Sequence, residues 1–482
     1  MFRKQSIAAF RFFIAGGGLS AGNGRIFAQS ALVGILVGLV ASAFHWLIDG
    51  LDGILLHGVG DHASLLAKGD LMRGVLSPAD WCDGRRWLLL VLPALGAVLA
   101  ALLIKWISPG THARGTDSAI YVYHRLKCRM SWKVIPVKAV ASALVIGSGG
   151  SAGYEGPMTL IGAACGITLA RIFHWDAVTR RRLMVAGLAA GIGALFRAPL
   201  AGALFGVEIL YSGLDMEYEA LLPAFIASAM SYTVFALFHG WAPLFDSMPP
   251  YAYDNILRLL PYLLLAIVVS LGAKFYIRTF RHVSESFRRI KVTPWMKVAV
   301  GGLLTGLLGF LFPDVLGTGY ELIRTAFLGD AQGLVHGQGA WTAAGLFFAI
   351  FVLKVFATSF TVGSGGSGGV FGPALVCGAS LSAACGAVFS ALFPTSFGIH
   401  PASVALVGMA GFLAATIRTP ITAVIMVAEL SGNHALLLPT MWVCGLAFAF
   451  NNGWSLYRSQ VHSRESSPLH SRRFQIGERT AM

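Results

Sequence analysis

The chain has 482 residues, 56% of them hydrophobic and only 12% charged, which excludes a soluble enzyme and points to a polytopic, all-α membrane protein. Its formal net charge of +14 would suit nucleic acid in a soluble protein. In a membrane chain it reads as basic loops kept on one side of the bilayer, so no nucleic-acid partner is expected.

Taken in order, Arg11 splits the first apolar run, so the N-terminus reads as an amphipathic cytoplasmic helix rather than a signal peptide. A span needs roughly 20 apolar residues. Runs of that kind occupy about 30–48, 87–107, 260–277, 341–360 and 435–450. Shorter runs at 157–172, 183–196 and 373–392 read as helices that stop inside the membrane or cross it steeply tilted. The Pro-rich stretch 240–255 divides an N-terminal half, about 30–240, from a C-terminal half, about 257–460. Residues 461–482 form a polar, basic tail, and the whole of 1–482 reads as a single transmembrane domain. Basic clusters lie at Arg3 and Lys4, Arg125 to Lys133, Arg180 to Arg182, Arg278 to Lys297 and Arg458 to Arg473, whereas 240–255 and 394–402 hold no Lys or Arg. Both termini are therefore expected in the cytoplasm, with the protein in the cell's inner (plasma) membrane and lipid around it. The six cysteines (Cys82, Cys128, Cys165, Cys377, Cys385, Cys444) show neither metal nor disulfide spacing, so no metal and no cofactor is expected.

One stretch is written twice. GSGGSAGYEGP at 147–157 returns as GSGGSGGVFGP at 363–373, shifted by 216 positions with eight of eleven residues identical, and Lys138 falls on Lys354. RAPLAGALFGVEIL at 197–210 returns as RTPITAVIMVAEL at 418–430, where Arg197, Pro199 and Glu208 match Arg418, Pro420 and Glu429 at a shift of 221. Two landmarks in the same order imply a duplicated half. Paired Gly/Pro interruptions in the two halves of a membrane chain point to a transporter's binding site.

In each copy the glycines precede a Pro, Pro157 or Pro373, at the first turn of a helix, where the missing N–H costs nothing. The residues just before it present unpaired backbone N–H groups at the positive end of the helix dipole, which is a ready anion site. Inverted duplication would bring two such ends together near the bilayer midplane. The competing reading is that the glycines merely let helices pack closely. Glu155 favours the site, because an ionisable group inside the membrane is costly and here would sit where an anion could. A carboxylate that competes with the anion and withdraws on protonation is both gate and proton carrier. The matching position in the second copy is Phe371, an apolar wall.

These residues resemble the CLC family of chloride channels and chloride/proton antiporters, of the kind without CBS domains. GYEGP at 153–157 is similar to the family's G-K/R-E-G-P motif, with Glu155 at the gating glutamate. GGVFGP at 368–373 is similar to G-G-I-F-x-P, and SLYRSQ at 455–460 puts Tyr457 at the pore tyrosine. The order of motifs matches across about residues 30–470. The resemblance implies two inverted halves and a homodimer with one pore in each subunit. It implies a central anion on the N–H groups of Val370 and Phe371, the Tyr457 hydroxyl and the Thr116 hydroxyl. An outer anion would lie on the N–H groups of Tyr154, Glu155, Gly156 and Gly372, and would be displaced by the ionised Glu155.

Three positions depart from the family pattern. GTDSAI at 115–120 stands for G-S-G-I-P-E, which keeps a hydroxyl at Thr116 but sets Asp117 beside the anion unless it points away as a cap. Tyr154 replaces a basic residue. Ile209 stands where family antiporters carry the inner glutamate, leaving Glu208 as a possible proton-path acid or, as its repeat Glu429 suggests, a structural one. Exchange of chloride or a similar anion for protons is the leading expectation, and an uncoupled chloride channel is the alternative. A membrane serine hydrolase using Ser151 or Ser367 in their G-x-S-x-G settings, with His45 or His174 as base, is the remote third reading.

Overall fold

Backbone polar groups in lipid must pair within their own segment, so long apolar runs fold as helices. The computed structural model describes residues 23–59, 87–109, 115–245, 259–327, 339–392 and 400–470. Among the described residues the structure is helical and contains no strand, only two isolated bridges between extended residues. The first half comprises α1 (Asn23–Asp52), α2 (Leu88–Ile107), α3 (Gly115–Arg125), α4 (Val134–Gly147), α5 (Glu155–Ile172), α6 (Ala177–Leu195), α7 (Pro199–Glu208) and α8 (Leu221–His239). The second comprises α9 (Leu260–Arg289), α10 (Pro294–Leu311), α11 (Tyr320–Phe327), α12 (Ala340–Gly363), α13 (Phe371–Leu392), α14 (Pro401–Ile417), α15 (Pro420–Ser431) and α16 (Leu437–Phe450).

Among the described residues seven helices are long and apolar enough to cross a membrane: Gly24–Leu56, Leu88–Ile107, Tyr218–His239, Leu260–Arg289, Pro294–Leu311, Ala340–Gly363 and Phe371–Leu392. The chain is a multi-pass membrane protein. Two of these spans, 218–239 and 294–311, were not read from sequence, because Tyr, Ser and Thr in α8 and Gly and Lys in α10 dilute the apolar run. Conversely, the run at 435–450 falls in a helix of only His434–Phe450, shorter than those seven, while 373–392 belongs to one of them. The proposed N-terminal amphipathic helix and most of the 240–255 joint lie outside the described residues.

Burial sorts the helices into a core and a lipid-facing shell. Residues Leu183 to Leu195 of α6 and Ala402 to Ile417 of α14 are buried on every face. α1, α2, α9 and α10 instead expose Leu39, Leu95, Leu271 and Leu307, as a surface facing acyl chains should. Small residues permit the tight central packing: a Cβ added at Gly162 of α5 would lie 2.1 Å from the Gly187 carbonyl oxygen of α6, and the reverse holds equally.

The duplication is visible residue by residue. α4 and α12 end at Gly147 and Gly363, and α5 and α13 begin at Glu155 and Phe371, each pair 216 apart. Gly149 and Gly365 share a positive φ, +97° and +112°. Arg197 and Arg418 share the left-handed region at 52° and 66°, a strained conformation for a residue with a Cβ. Their guanidiniums hold the bends: Arg197 donates to the carbonyls of His239 and Ala242, both at 2.9 Å, and Arg418 to those of Ser212 and Phe448.

The start of the polar, basic tail is docked. Ser212 and Gly213 donate to the carbonyls of Val461 and His462 at 2.8 and 3.0 Å. Arg464 pairs with Glu217 at 3.0 Å and Glu219 at 2.7 Å, and His470 meets Glu217 at 3.2 Å. The buried His124 donates from Nε2 to the Leu210 carbonyl at 2.9 Å, so its Nδ1 accepts from Ser467 at 2.8 Å. Burial alone would raise the Glu217 carboxyl; hydrogen bonds from His470, Tyr211 and Tyr123 outweigh it and hold the group at about 2. A carboxyl depressed on folding stabilises the fold above its unfolded value and loses that contribution as the pH falls through its folded value. Glu217→Gln should therefore lower stability in detergent by about 3 kcal/mol at neutral pH, with faster tryptic release of the tail. The gap to wild type, followed by thermal denaturation, should close between about pH 4.5 and pH 2.

Candidate functional site

Two Gly-rich segments embedded between apolar helices must satisfy their backbone on each other. Gly153 donates to the Gly369 carbonyl at 2.9 Å and accepts from Gly369 at 2.8 Å, an antiparallel bridge between repeat-equivalent residues. A local two-fold axis therefore passes between them, and the α5 and α13 N-termini start two residues beyond, on either side of it. The first backbone bonds that close on these ends, Met158 to Tyr154 and Ala374 to Val370, are both 3.1 Å long. The N–H groups of Glu155, Gly156, Phe371 and Gly372 precede those bonds and have no partner within their own helices.

Glu155 occupies this junction fully buried. Its Oε2 accepts from the Gly372 N–H at 3.1 Å, so one repeat's carboxylate sits on the other repeat's helix end. Its Oε1 accepts from the hydroxyl of Tyr320, a residue that no motif or repeat marks. Tyr154 flanks it, edge-on to Tyr320 at 5.5 Å and to His45 at 6.3 Å. Gly372 has to be glycine here, because a Cβ would lie 2.7 Å from the Tyr320 hydroxyl and 2.8 Å from Glu155. Phe371 packs against Phe196 and Phe205, both with centroids 5.3 Å away.

Tyr457 is buried in the turn after α16, and its hydroxyl has no hydrogen-bond partner of ordinary length, although Thr116 neighbours it. The Thr116 hydroxyl contacts that of Thr159 at 3.0 Å, and Thr159 donates to the Gly156 carbonyl at 2.6 Å. Thr159 has one proton to give, so in this arrangement Thr116 donates to Thr159, leaving Tyr457 as the uncommitted hydroxyl donor. Val370 is steadied from α9, where the Tyr276 hydroxyl donates to its carbonyl at 3.4 Å. Asp117 turns away from the junction and accepts from the Ser459 N–H at 2.9 Å, anchoring the turn that carries Tyr457. Next to Tyr457 lies a cavity of about 390 Å³ lined by Arg281, Arg418, Arg458 and Gln460. A second, of about 700 Å³, shares Glu285 and Arg458 with it and adds Arg288, Lys297 and Asp117. The second cavity thus sets three cations, Arg288, Lys297 and Arg458, against two acids, Asp117 and Glu285, and the first sets three arginines against Glu285 alone.

Thr116, Tyr154, Glu155, Gly156, Val370, Phe371, Gly372 and Tyr457 thus gather around one junction. Glu208 does not join them by any hydrogen bond. It accepts from Ile421 and Thr422 N–H at 3.1 and 2.8 Å, and Glu429 reciprocally accepts from Leu200 and Ala201 at 3.1 and 2.7 Å. Each acid caps the N-terminus of the other's helix, α15 or α7. Ile209 is fully buried. Ser151 bonds Thr358 at 3.1 Å, while Ser367 meets Ser142 and Lys138, each at 2.9 Å. The Ser–Ser and Ser–Thr contacts are repeat equivalents, as expected of ties between halves, and all five groups are buried. His45 faces Tyr154, Phe235 and His239. Among the described residues no three His, Cys, Asp or Glu side chains are grouped to hold a metal ion.

Residues 96–452 match the model of the voltage gated chloride channel family. A putative chloride channel protein, ClcB-like, of Ralstonia nicotianae is 31% identical over 366 residues, covering 74% of this chain and 81% of that protein. An H(+)/Cl(−) exchange transporter, ClcA, of Salmonella arizonae is 30% identical over 430 residues, covering 87% and 84%. Two solved structures share the fold at 23% identity. A slow cyanobacterial Cl−/H+ antiporter has a TM-score of 0.73 and covers 89% of this chain and 94% of its own. A CLC-type fluoride/proton antiporter has a TM-score of 0.72 and covers 91% and 98%.

The reciprocal caps make a symmetrical prediction. Glu208→Ala and Glu429→Ala each leave two helix-end N–H groups unpaired and should each cost about 1–2 kcal/mol, read as similar drops in thermal midpoint. Proton movement should survive both changes; its loss in Glu208→Ala alone would put that acid on the proton path.

Proposed function

The chain belongs to the voltage-gated chloride channel family, and on that premise we propose that it carries chloride or a similar small anion across the membrane in exchange for protons. One observation carries the reading: a buried carboxylate, Glu155, seated on the helix N-terminus of the opposite repeat through the Gly372 N–H. A carboxylate and an anion compete for the same donors at such an end. When ionised, Glu155 fills the outer position formed with Tyr154, Gly156 and Gly372. When protonated it loses its attraction for the dipole, swings out, and an anion takes its place. The same residue then carries the proton.

The inner position in this reading uses the N–H groups of Val370 and Phe371 and the Tyr457 hydroxyl, with Thr116 contributing only if its bond to Thr159 rearranges. Backbone donors without a side-chain cation hold an anion loosely enough to release it. The arginine-edged cavity beside Tyr457 would concentrate anions at the approach. We also propose a homodimer with one pore per subunit, in the cell's inner membrane with both termini cytoplasmic, in keeping with the basic loops. A hydrolase is disfavoured, since Ser151 and Ser367 are buried and tied to the opposite repeat.

Uncoupled chloride conduction is the second reading, and one observation favours it: Ile209 puts a buried apolar side chain where the resemblance calls for an acid. Recording chloride and proton movement together in liposomes under opposing gradients separates the two. Chloride running down its gradient should drive protons uphill; chloride flux without proton movement would mean a channel. Glu155→Gln and Glu155→Ala should reduce proton movement to background while keeping chloride flux, and wild-type proton transport in either would defeat the mechanism.

A further inference from the structure

We propose that Tyr320 is a positioning residue for the gate, its hydroxyl latching the Glu155 carboxylate in the outer anion position. The inference rests on reading Glu155 as the gate. Tyr320 begins α11, outside both repeated landmarks, yet its hydroxyl donates to Oε1 of Glu155 while Gly372 donates to Oε2. The carboxylate is therefore gripped on both oxygens, once by fixed backbone and once by a side chain. A carboxylate only accepts, so this latch exists for the ionised gate and is lost when Oε1 is protonated or swings away.

The loop that carries Tyr320 is fixed independently of the gate. Lys354 of α12 donates to the carbonyls of Val315, Leu316 and Gly317 at 2.9, 3.4 and 3.0 Å. Gly317 donates in turn to the Gly149 carbonyl at 3.2 Å, tying the loop to the first Gly-rich stretch. Tyr320 itself rests edge-on against Tyr154 at 5.5 Å and Phe196 at 6.5 Å, with the Tyr154 hydroxyl in hydrogen-bonding reach of its own. A donor held by a braced loop does not follow the carboxylate when it leaves. That distinguishes a latch from a tyrosine that merely fills space.

The other ionisable groups around Glu155 come from several elements. Tyr154 stands on its own helix cap and Tyr457 on the turn after α16. Behind Tyr154 lie His45 and Asp49 of α1, Arg197 before α7 and His239 of α8. None of them donates a hydrogen bond to the carboxylate among the described contacts, so removing the Tyr320 hydroxyl takes away a donor the others do not replace.

The test measures chloride and proton flux in liposomes against pH for wild type, Tyr320→Phe, Glu155→Ala and the double variant. Tyr320→Phe keeps the ring and should fold. The pH of half-maximal chloride flux should move up by about one unit, the size expected for one hydrogen bond to a charged acceptor. Proton coupling should remain. In the Glu155→Ala background the same change should alter neither rate nor profile, because the latch has nothing to hold. A Tyr320→Phe profile superimposable on wild type would overturn the proposal, as would an equal loss of flux in both backgrounds. If Glu155→Ala keeps the wild-type pH dependence, the gate reading itself falls and the latch with it. A flat Glu155→Ala profile beside an unshifted Tyr320→Phe profile sinks the latch alone.

Discussion

Two hydrogen bonds between Gly153 and Gly369 hold the functional centre together. Irregular backbone inside a membrane is tolerated only where protein or a polar cavity supplies its partners. Each Gly-rich stretch supplies the other's, and it does so at repeat-equivalent residues. That forces the two helices that follow to start from the same place in opposite senses. The unpaired N–H groups of both N-termini are then collected at one point. Other features of the site follow from that collection: a carboxylate finds a donor there in the Gly372 N–H, and a side chain at Gly372 is forbidden.

The polar residues buried away from the junction are mostly paired across the same symmetry. Glu208 and Glu429 exchange helix caps between α7 and α15, and Ser142–Ser367 and Thr358–Ser151 exchange hydroxyl contacts. Arg197 and Arg418 spend their guanidiniums on carbonyls at the bends they create. The buried lysines break the pattern. Lys138 donates to Ser367 across the repeat boundary, whereas its counterpart Lys354 braces the loop before Tyr320. The repeats therefore share a frame and diverge at the helix starts, where one copy carries Glu155, bonded to Tyr320, and the other Phe371, packed on Phe196 and Phe205.

Much of this was legible from residues alone, for reasons that can be named. The Gly-rich stretches and the helix starts that follow them share one 216-residue shift, so the pair and the starts of α5 and α13 could be placed from the residues. Glu155 stood out because a carboxylate amid apolar helices needs a reason. Tyr320 did not, since a tyrosine after Gly317 and Gly319 reads as an ordinary loop residue, and its partner is 165 positions away. The two glycines before it, which take positive φ in the structure, were the available signal of a tight bend. Asp117 looked hostile to an anion until its direction was known, because sequence gives a side chain's charge and not its aim. The docked tail was equally hidden: residues 461–470 have no apolar period, and their attachments are single ion pairs and hydrogen bonds with scattered partners.

Anion and proton impose opposite demands on the approach to Glu155, and the residues present divide accordingly. Arg281, Arg418 and Arg458 edge the cavity beside Tyr457, a potential that favours anions and disfavours protons. In the exchange reading a proton must therefore reach Glu155 from this side by a different line from the anion, and Ile209 offers it no acid. Glu208 is committed to Ile421 and Thr422, so using it would mean uncapping α15. What is left for that reading is water, since Phe205 and Phe371, packed against each other, cannot themselves hold a proton. Such a route would be slow to fill and indifferent to the anion's binding groups. Exchange would then be limited by how often water bridges the gap, and the strictness of coupling would rest on Glu155 and the donors that grip it.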